Sequence, residues 1–198
     1  MSHNLLISLA MDFFQNSLDT SPTSAIMRGH KKYFDQIEQL TVDQFEREEE
    51  IVDSFIKRLN AIDQNKLTNR EKVTHGMLEF ALSSNKDSLL DRNWEFGAGV
   101  SGFTGFLIDY NQQMFIPDSE SADMMLKRLE LYKRLYTQIA EVQKVGLNNN
   151  RVATERNLLR TIDQLENYLA SSLDQDPLLL VNFSPEISDK EISEWKDK

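Results

Sequence analysis

Three glycines, Gly97, Gly99 and Gly102, spell G-x-G-x-x-G within the stretch NWEFGAGVSGFTGF. Such a loop cradles a phosphate when a buried strand leads into the first glycine and a helix starts after the third. Here the preceding residues, FALSSNKDSLLDRNW, read as the end of a helix. The following ones, FTGFLIDYNQQMF, are aromatic and lack a P-loop lysine. The kinase variant needs its own lysine, H-R-D and D-F-G, and none occurs. The spacing therefore argues against nucleotide binding. It reads as a compact loop in which backbone approaches a neighbour closely, packed down by Phe96, Phe103, Phe106 and Tyr110. A loop this long in a helical chain faces a cleft or a second domain.

Other groupings point to chemistry and fall short of it. Glu71, His75 and Glu79 recur every four residues and share one helix face, where a carboxylate and an imidazole can ligate a metal. That face lies opposite Val73, Met77 and Phe80, so it reads as the solvated side. The Glu-x-x-His pairs of a di-iron bundle are absent. Ser101 lies in GVSGF, but the spacing is not that of a nucleophile elbow and no histidine follows it. No histidine immediately precedes a glutamate, so H-E-x-x-H is absent too. Glu48 falls within the apolar stripe of its helix, as an anchor for a basic partner or as a side chain reaching water. His30, just past a helix stop, is placed to touch a substrate or to cap carbonyls. The visible chain carries no recognisable catalytic set.

Composition narrows the classes further. The 198 residues are 40% hydrophobic and 27% charged, the balance of a globular protein. A net charge of -10 offers no cationic footprint for nucleic acid or for an anionic membrane surface. The absence of cysteine excludes disulfides, thiolate metal sites and a cysteine nucleophile. No run approaches the ~20 apolar residues of a membrane-spanning helix. The compartment stays open between cytoplasmic and exported with a leader removed.

The elements that must position any site are helical. Leu5, Leu6, Leu9, Phe13 and Leu18 keep helical spacing. Ser21 before Pro22 opens a short helix that Gly29 stops. Thr41 with Gln44, Thr68 with Glu71, and Ser188 with Glu191 form capping boxes. The first opens a helix to about Ile62, the second one to about Asp91 that buries Val73, Met77, Phe80 and Ala81. Positions 125, 129, 132, 136 and 139 form a packing seam over 121–146, ended by Gly146. Asn150 caps a helix burying Leu158, Ile162, Leu165 and Leu169, so residues 146–151 turn an antiparallel helical hairpin. The tail, DQDPLLLVNFSP, is a loop with a small apolar plug. A last helix carries Ile192 and Trp195 and is cut off after its cap, as in a fragment of a longer protein.

The order of these pieces resembles the N-terminal region of the bacterial domain of unknown function 885 family. SPTSAIMRGHKKYFD resembles its opening serine-proline helix and glycine turn. RLNAIDQNKLTNREKVTHGMLEFAL resembles its Leu-x-x-Ile-Asp, Leu-Thr and acidic helix. SADMMLKRLELYKRLYTQIAEVQKVGLNNNR resembles its Arg-Leu helix ending in a glycine turn and an arginine, here Arg128, Gly146 and Arg151. The glycine-rich segment falls where members carry a loop leading to that helix. The likeness spans about residues 10–180. It departs at Asn69, Arg70 and Lys72, which surround a single Glu71 where members often show an acidic run. The resemblance implies a much longer, mostly helical protein whose later part carries a zinc-peptidase-like H-E-x-x-H helix.

These readings give an all-α fold, an irregular helical bundle of about six or seven helices with an antiparallel hairpin. Residues 1–198 form a single helical domain, the N-terminal fragment of a longer protein, with an irregular loop at 93–119 that has room for a short β-hairpin. By resemblance the chain is the non-catalytic region of a zinc-dependent metallopeptidase-like protein and walls one side of a peptide-binding cleft. Zinc belongs to the longer parent, and this chain holds no cofactor. The alternative is a stand-alone acidic helical module that binds a protein or ligand without enzymatic activity. No residue is assigned a catalytic or metal role. Arg28, Gly29, His30, Tyr33, Gly97, Gly99, Gly102, Phe103, Phe106, Tyr110 and Arg151 are the candidates to face substrate or the remaining half. Expected partners are the C-terminal catalytic half, a peptide, and a second copy meeting exposed loop aromatics.

Overall fold

A computed structural model describes residues 2–96 and 110–197. Gly97, Gly99, Gly102, Phe103 and Phe106 lie outside the described residues. Among those described, the elements are α1 (Ser2–Thr20), α2 (Pro22–Met27), α3 (Val42–Asn60), α4 (Asn69–Leu90), α5 (Ser119–Asn148), α6 (Glu155–Leu169) and α7 (Asp189–Lys196). Two short strands, β1 (Phe115–Ile116) and β2 (Asn182–Phe183), complete them. The fold is an all-α irregular bundle. β1, at the end of the 93–119 stretch, pairs in parallel with β2 from the distant tail; residues 97–109 of that stretch lie outside the described residues. The backbone N–H of Asn182 donates to Met114 and that of Ser184 to Ile116, at 3.1 and 2.9 Å.

The chain divides into two compact units. The first, residues 1–20 and 41–94, holds α1, α3 and α4. Leu6, Leu9, Val52, Phe55, Leu59, Ile62, Leu67, Leu78 and Leu82 make its core. Thr41 accepts from the N–H of Gln44, but the Gln44 side chain turns to Glu48 instead of closing the box. The Thr68–Glu71 box closes in both directions. Lys86 on α4 reaches Glu49 and Asp53 on α3, both at 2.8 Å. Phe45 stacks on Trp94 with centroids 4.7 Å apart.

The inward face of α4 is the reverse of the one expected. His75, Leu78 and Leu82 are buried, while Val73, Met77 and Phe80 are 62%, 68% and 75% exposed. The helix carries two apolar stripes, so periodicity alone does not choose between them. The stripe that enters the core is the one completed by Leu78 and Leu82.

The second unit, residues 21–40 and 95–198, holds α2, α5, α6, α7 and the strands. Along α5 the buried positions are Met125, Arg128, Tyr132, Leu135, Ile139, Val142 and Gly146. The expected seam is displaced: positions 129 and 136 are only half-buried, and Arg128 and Leu135 take the interior. Gly146 lies inside α5, which ends at Asn148. Asn150 does not cap the next helix. It takes a left-handed φ of 56°, and Thr154 is the cap residue of α6. Leu158, in the first turns of α6, lines the same groove as Ala140 and Leu147, in the last turns of α5, so α6 folds back antiparallel to α5.

The apolar face of α6 is only partly covered. Thr161 is its buried residue, Leu158 and Leu165 are half-buried, and Ile162 and Leu169 are 50% and 79% exposed. At the other end of α5, Trp195 of α7 is buried, donates from Nε1 to the carbonyl of Ala122 at 2.7 Å and meets Phe183 edge-on.

Candidate functional site: the groove at the α5–α6 turn

The last turns of α5 place residues 140, 143, 144 and 147 on one face, because steps of three and four residues nearly complete a helical turn. The chain then reverses through Asn149 and Asn150, and residues 151–153 fold back across that face. The result is a groove of about 300 Å³ walled by Ala140, Leu147, Val152, Ala153 and Leu158, with Glu95, Gln143, Lys144 and Arg151 as its polar lining.

Close backbone approach builds this corner. A Cβ on Gly146 would lie 2.5 Å from the carbonyl oxygen of Glu95 and 2.8 Å from that of Arg151. Only glycine lets the segment at residue 95 and the segment at residue 151 press against the same helical turn. The N–H of Arg151 donates to Gly146 O at 2.8 Å and fixes the reversal.

The Glu95 side chain is inaccessible to solvent. Arg151 Nε lies 2.8 Å from Glu95 Oε2, and Asn149 Nδ2 donates to Oε1 at 3.1 Å. A carboxylate taken out of water needs such partners to stay ionised. The Arg151 guanidinium also lies over the Phe96 ring, 4.8 Å from its centroid. Arg151, a candidate from the sequence, thus belongs to a cluster with Glu95, Asn149 and Phe96.

The turn at residues 28–33 is a separate piece of the second unit. Gly29 takes φ +86°, and the N–H groups of Gly29 and His30 donate to Ile26 and Ala25, ending α2 as a left-handed glycine cap. Arg28 and Gly29 are exposed and His30 is half-buried. Tyr33 is buried, with the Lys32 ammonium 4.6 Å from its ring centre and the His30 ring edge-on. Lys31 pairs with Asp118, the cap of α5, at 2.5 Å. Tyr110 is half-buried ahead of β1. The described residues therefore hold the 28–33 turn and Arg151 in different clusters.

A third polar cluster lies in the interior. Arg128 is fully buried and donates to Thr23 Oγ1 at 2.6 Å and to the Gln36 carbonyl. The Thr23 hydroxyl donates a hydrogen bond to Glu38 Oε2 at 2.8 Å, and Glu38 lies 3.9 Å from the guanidinium. Tyr132, beside Arg128, donates to Asn111 at 2.9 Å. Burial pushes the Tyr132 and Tyr136 hydroxyls above their usual range, so they act as neutral donors. Arg128, Thr23, Tyr132 and Asn111 are buried, which makes this a fold-holding network.

Among the described residues the donor set does not fit zinc. His3 pairs with Glu71, and His75, buried on α4, has Glu79 3.9 Å from Nδ1. Among the described residues no group of three or more His, Asp or Glu side chains stands close enough to hold a metal ion.

Sequence reasoning missed Glu95, Gln143, Lys144 and Asn149. One signal was present: an acid between two aromatics in WEF, which marks a carboxylate carried inward by its neighbours. Gln143 and Lys144 gave none, since their role depends on where residues 151–158 return. Arg128 stands out in the sequence only through the family resemblance, since its neighbours in MMLKRLELYKRL look solvent-facing.

No helix among the described residues is long and apolar enough to cross a membrane. Comparison with curated proteins and with solved structures gives no match. Residues 22–198 match the family described as bacterial protein of unknown function (DUF885), and the chain belongs to that family.

Proposed function

We propose that this chain is the non-catalytic helical region of a zinc-dependent metallopeptidase-like protein, and that its second unit contributes one wall of a peptide-binding cleft. The observation that carries the reading is the groove at the α5–α6 turn. It has apolar walls for a side chain and a buried, neutralised ion pair at its rim. Concave, mostly apolar sites with a few fixed polar groups are the usual form of a ligand site. Family membership over residues 22–198 is compatible with the reading, in which a zinc-binding helix belongs to a later part of the protein. On this reading the metal and the general base are supplied there, and the present residues bind and orient.

The test uses the 198-residue chain with fluorescein-labelled peptides, followed by polarisation, and mass spectrometry after incubation with zinc. Saturable binding without cleavage is expected, and Ala153→Trp, which fills the groove, abolishes it. Zinc-dependent hydrolysis by this chain would refute the non-catalytic assignment. Binding indifferent to Ala153→Trp would refute the groove as the wall. Reading the gene downstream of Lys198 separates this reading from a stand-alone module: an in-frame H-E-x-x-H supports the first, an immediate stop codon the second.

A further inference from the structure

The groove's hydrogen-bonding capacity is unevenly spent, and the imbalance names its occupant. Glu95 Oε1 accepts from Asn149, and Oε2 is held by Arg151 Nε as an ion pair at 2.8 Å whose geometry falls short of a hydrogen bond. That acid and that arginine neutralise each other. What is left over is donors. Gln143 Nε2 is buried without a hydrogen-bond partner. Lys144, exposed at the rim, has no carboxylate partner among the described residues. A buried donor left unmade is costly, so a site with a surplus of donors selects a ligand that brings acceptors. One of the two surplus donors is charged, so the fitting acceptor is an anion with two oxygens, which a carboxylate supplies.

The rest of the lining fixes what accompanies that carboxylate. Ala140, Val152, Ala153 and Leu158 are aliphatic, and Leu147 stands 63% exposed at the groove edge. About 300 Å³ sits at the small end of ligand sites, which suits one side chain and its backbone and not an extended strand. Resting on the peptide-cleft reading above, we infer that the groove takes the C-terminal residue of a peptide with an aliphatic side chain. Its carboxylate meets Gln143 Nε2 and Lys144, and its side chain lies against Leu147, Val152 and Leu158. The net charge of -10 repels anions at long range, so the preference rests on the local contacts.

The test compares acetyl-Ala-Ala-Leu with a free carboxylate, its C-terminal amide, acetyl-Ala-Ala-Gly and octanoate, by calorimetry on the full 198-residue chain. The free acid should bind at least tenfold tighter than the amide, and the glycine peptide should lose most of that affinity. Lys144→Gln, at an exposed position, should bring the acid down to the level of the amide and leave the melting temperature unchanged. Equal affinity for acid and amide would overturn the inference, as would an acid preference that survives in Lys144→Gln. Octanoate binding with Lys144 dependence, and no binding of any peptide, would sink the peptide reading and leave the carboxylate chemistry standing. Internal peptide segments binding with no acid preference would do the reverse.

Discussion

Gly76 and Gly146 offer one substitution with opposite expected signs. Both lie within helices, α4 and α5, where alanine is favoured over glycine by roughly 1 kcal/mol. At Gly76 a new Cβ meets nothing within 4 Å. Gly76→Ala should therefore stabilise the first unit by about 0.5–1 kcal/mol, chiefly by restricting the unfolded chain. At Gly146 the same Cβ would stand 2.5 Å from Glu95 O and 2.8 Å from Arg151 O. Both are backbone atoms, and neither can rotate away. Overpacking of this kind costs about 1–3 kcal/mol, and two backbone clashes place it at the upper end. After the propensity gain, Gly146→Ala should destabilise the second unit by about 2 kcal/mol. For a chain of this size about 1 kcal/mol moves Tm by roughly 2–4 °C. Differential scanning calorimetry should show Gly76→Ala raising a transition by about 1–4 °C and Gly146→Ala lowering one by about 4–8 °C. The latter should also weaken peptide binding, because the displaced carbonyls belong to Glu95 and Arg151. A neutral or stabilising Gly146→Ala would mean that the 95 and 151 segments do not press on α5, and the geometry of the groove would fall with them.

Arg128→Met should destabilise the second unit by about 3–5 kcal/mol, since Glu38 and Thr23 keep their buried polar groups without the cation, and urea unfolding checks this. Glu71 is held at a pKa of about 2, well below 4.5, chiefly by the Thr68 hydroxyl, then by the Thr68 N–H and His3. Because the folded value is the lower one, its contribution is complete above about pH 4.5 and fades as pH falls toward 2. Carboxyl titration by NMR should show the low value, and Thr68→Val should raise it toward 4.5. Trp195→Ala should cost about 3–5 kcal/mol by emptying a buried site, whereas Trp195→Phe should lose mainly the bond to Ala122, roughly 1 kcal/mol, read by thermal denaturation.

The chain's own residues settled the class and the local punctuation. Few prolines and glycines, apolar spacing of three and four, and reciprocal caps at Thr68–Glu71 and Ser188–Glu191 are interactions within a few residues, so they are visible before folding. Pro22 at a helix start and Gly29 with its positive φ belong to the same kind. What folding alone decided is which surface of each helix is used. On α4 two apolar stripes compete, and long-range packing buries His75 with Leu78 and Leu82 while leaving Phe80 outside. On α5 a guanidinium displaces an expected leucine from the interior, because Thr23, Gln36 and Glu38, 90 to 105 residues earlier in the chain, supply its partners. The same holds for the pairing of β1 with a tail segment and for the groove. Glu95 and Arg151 are far apart in sequence, and they meet only because Gly146 leaves no side chain between their backbones.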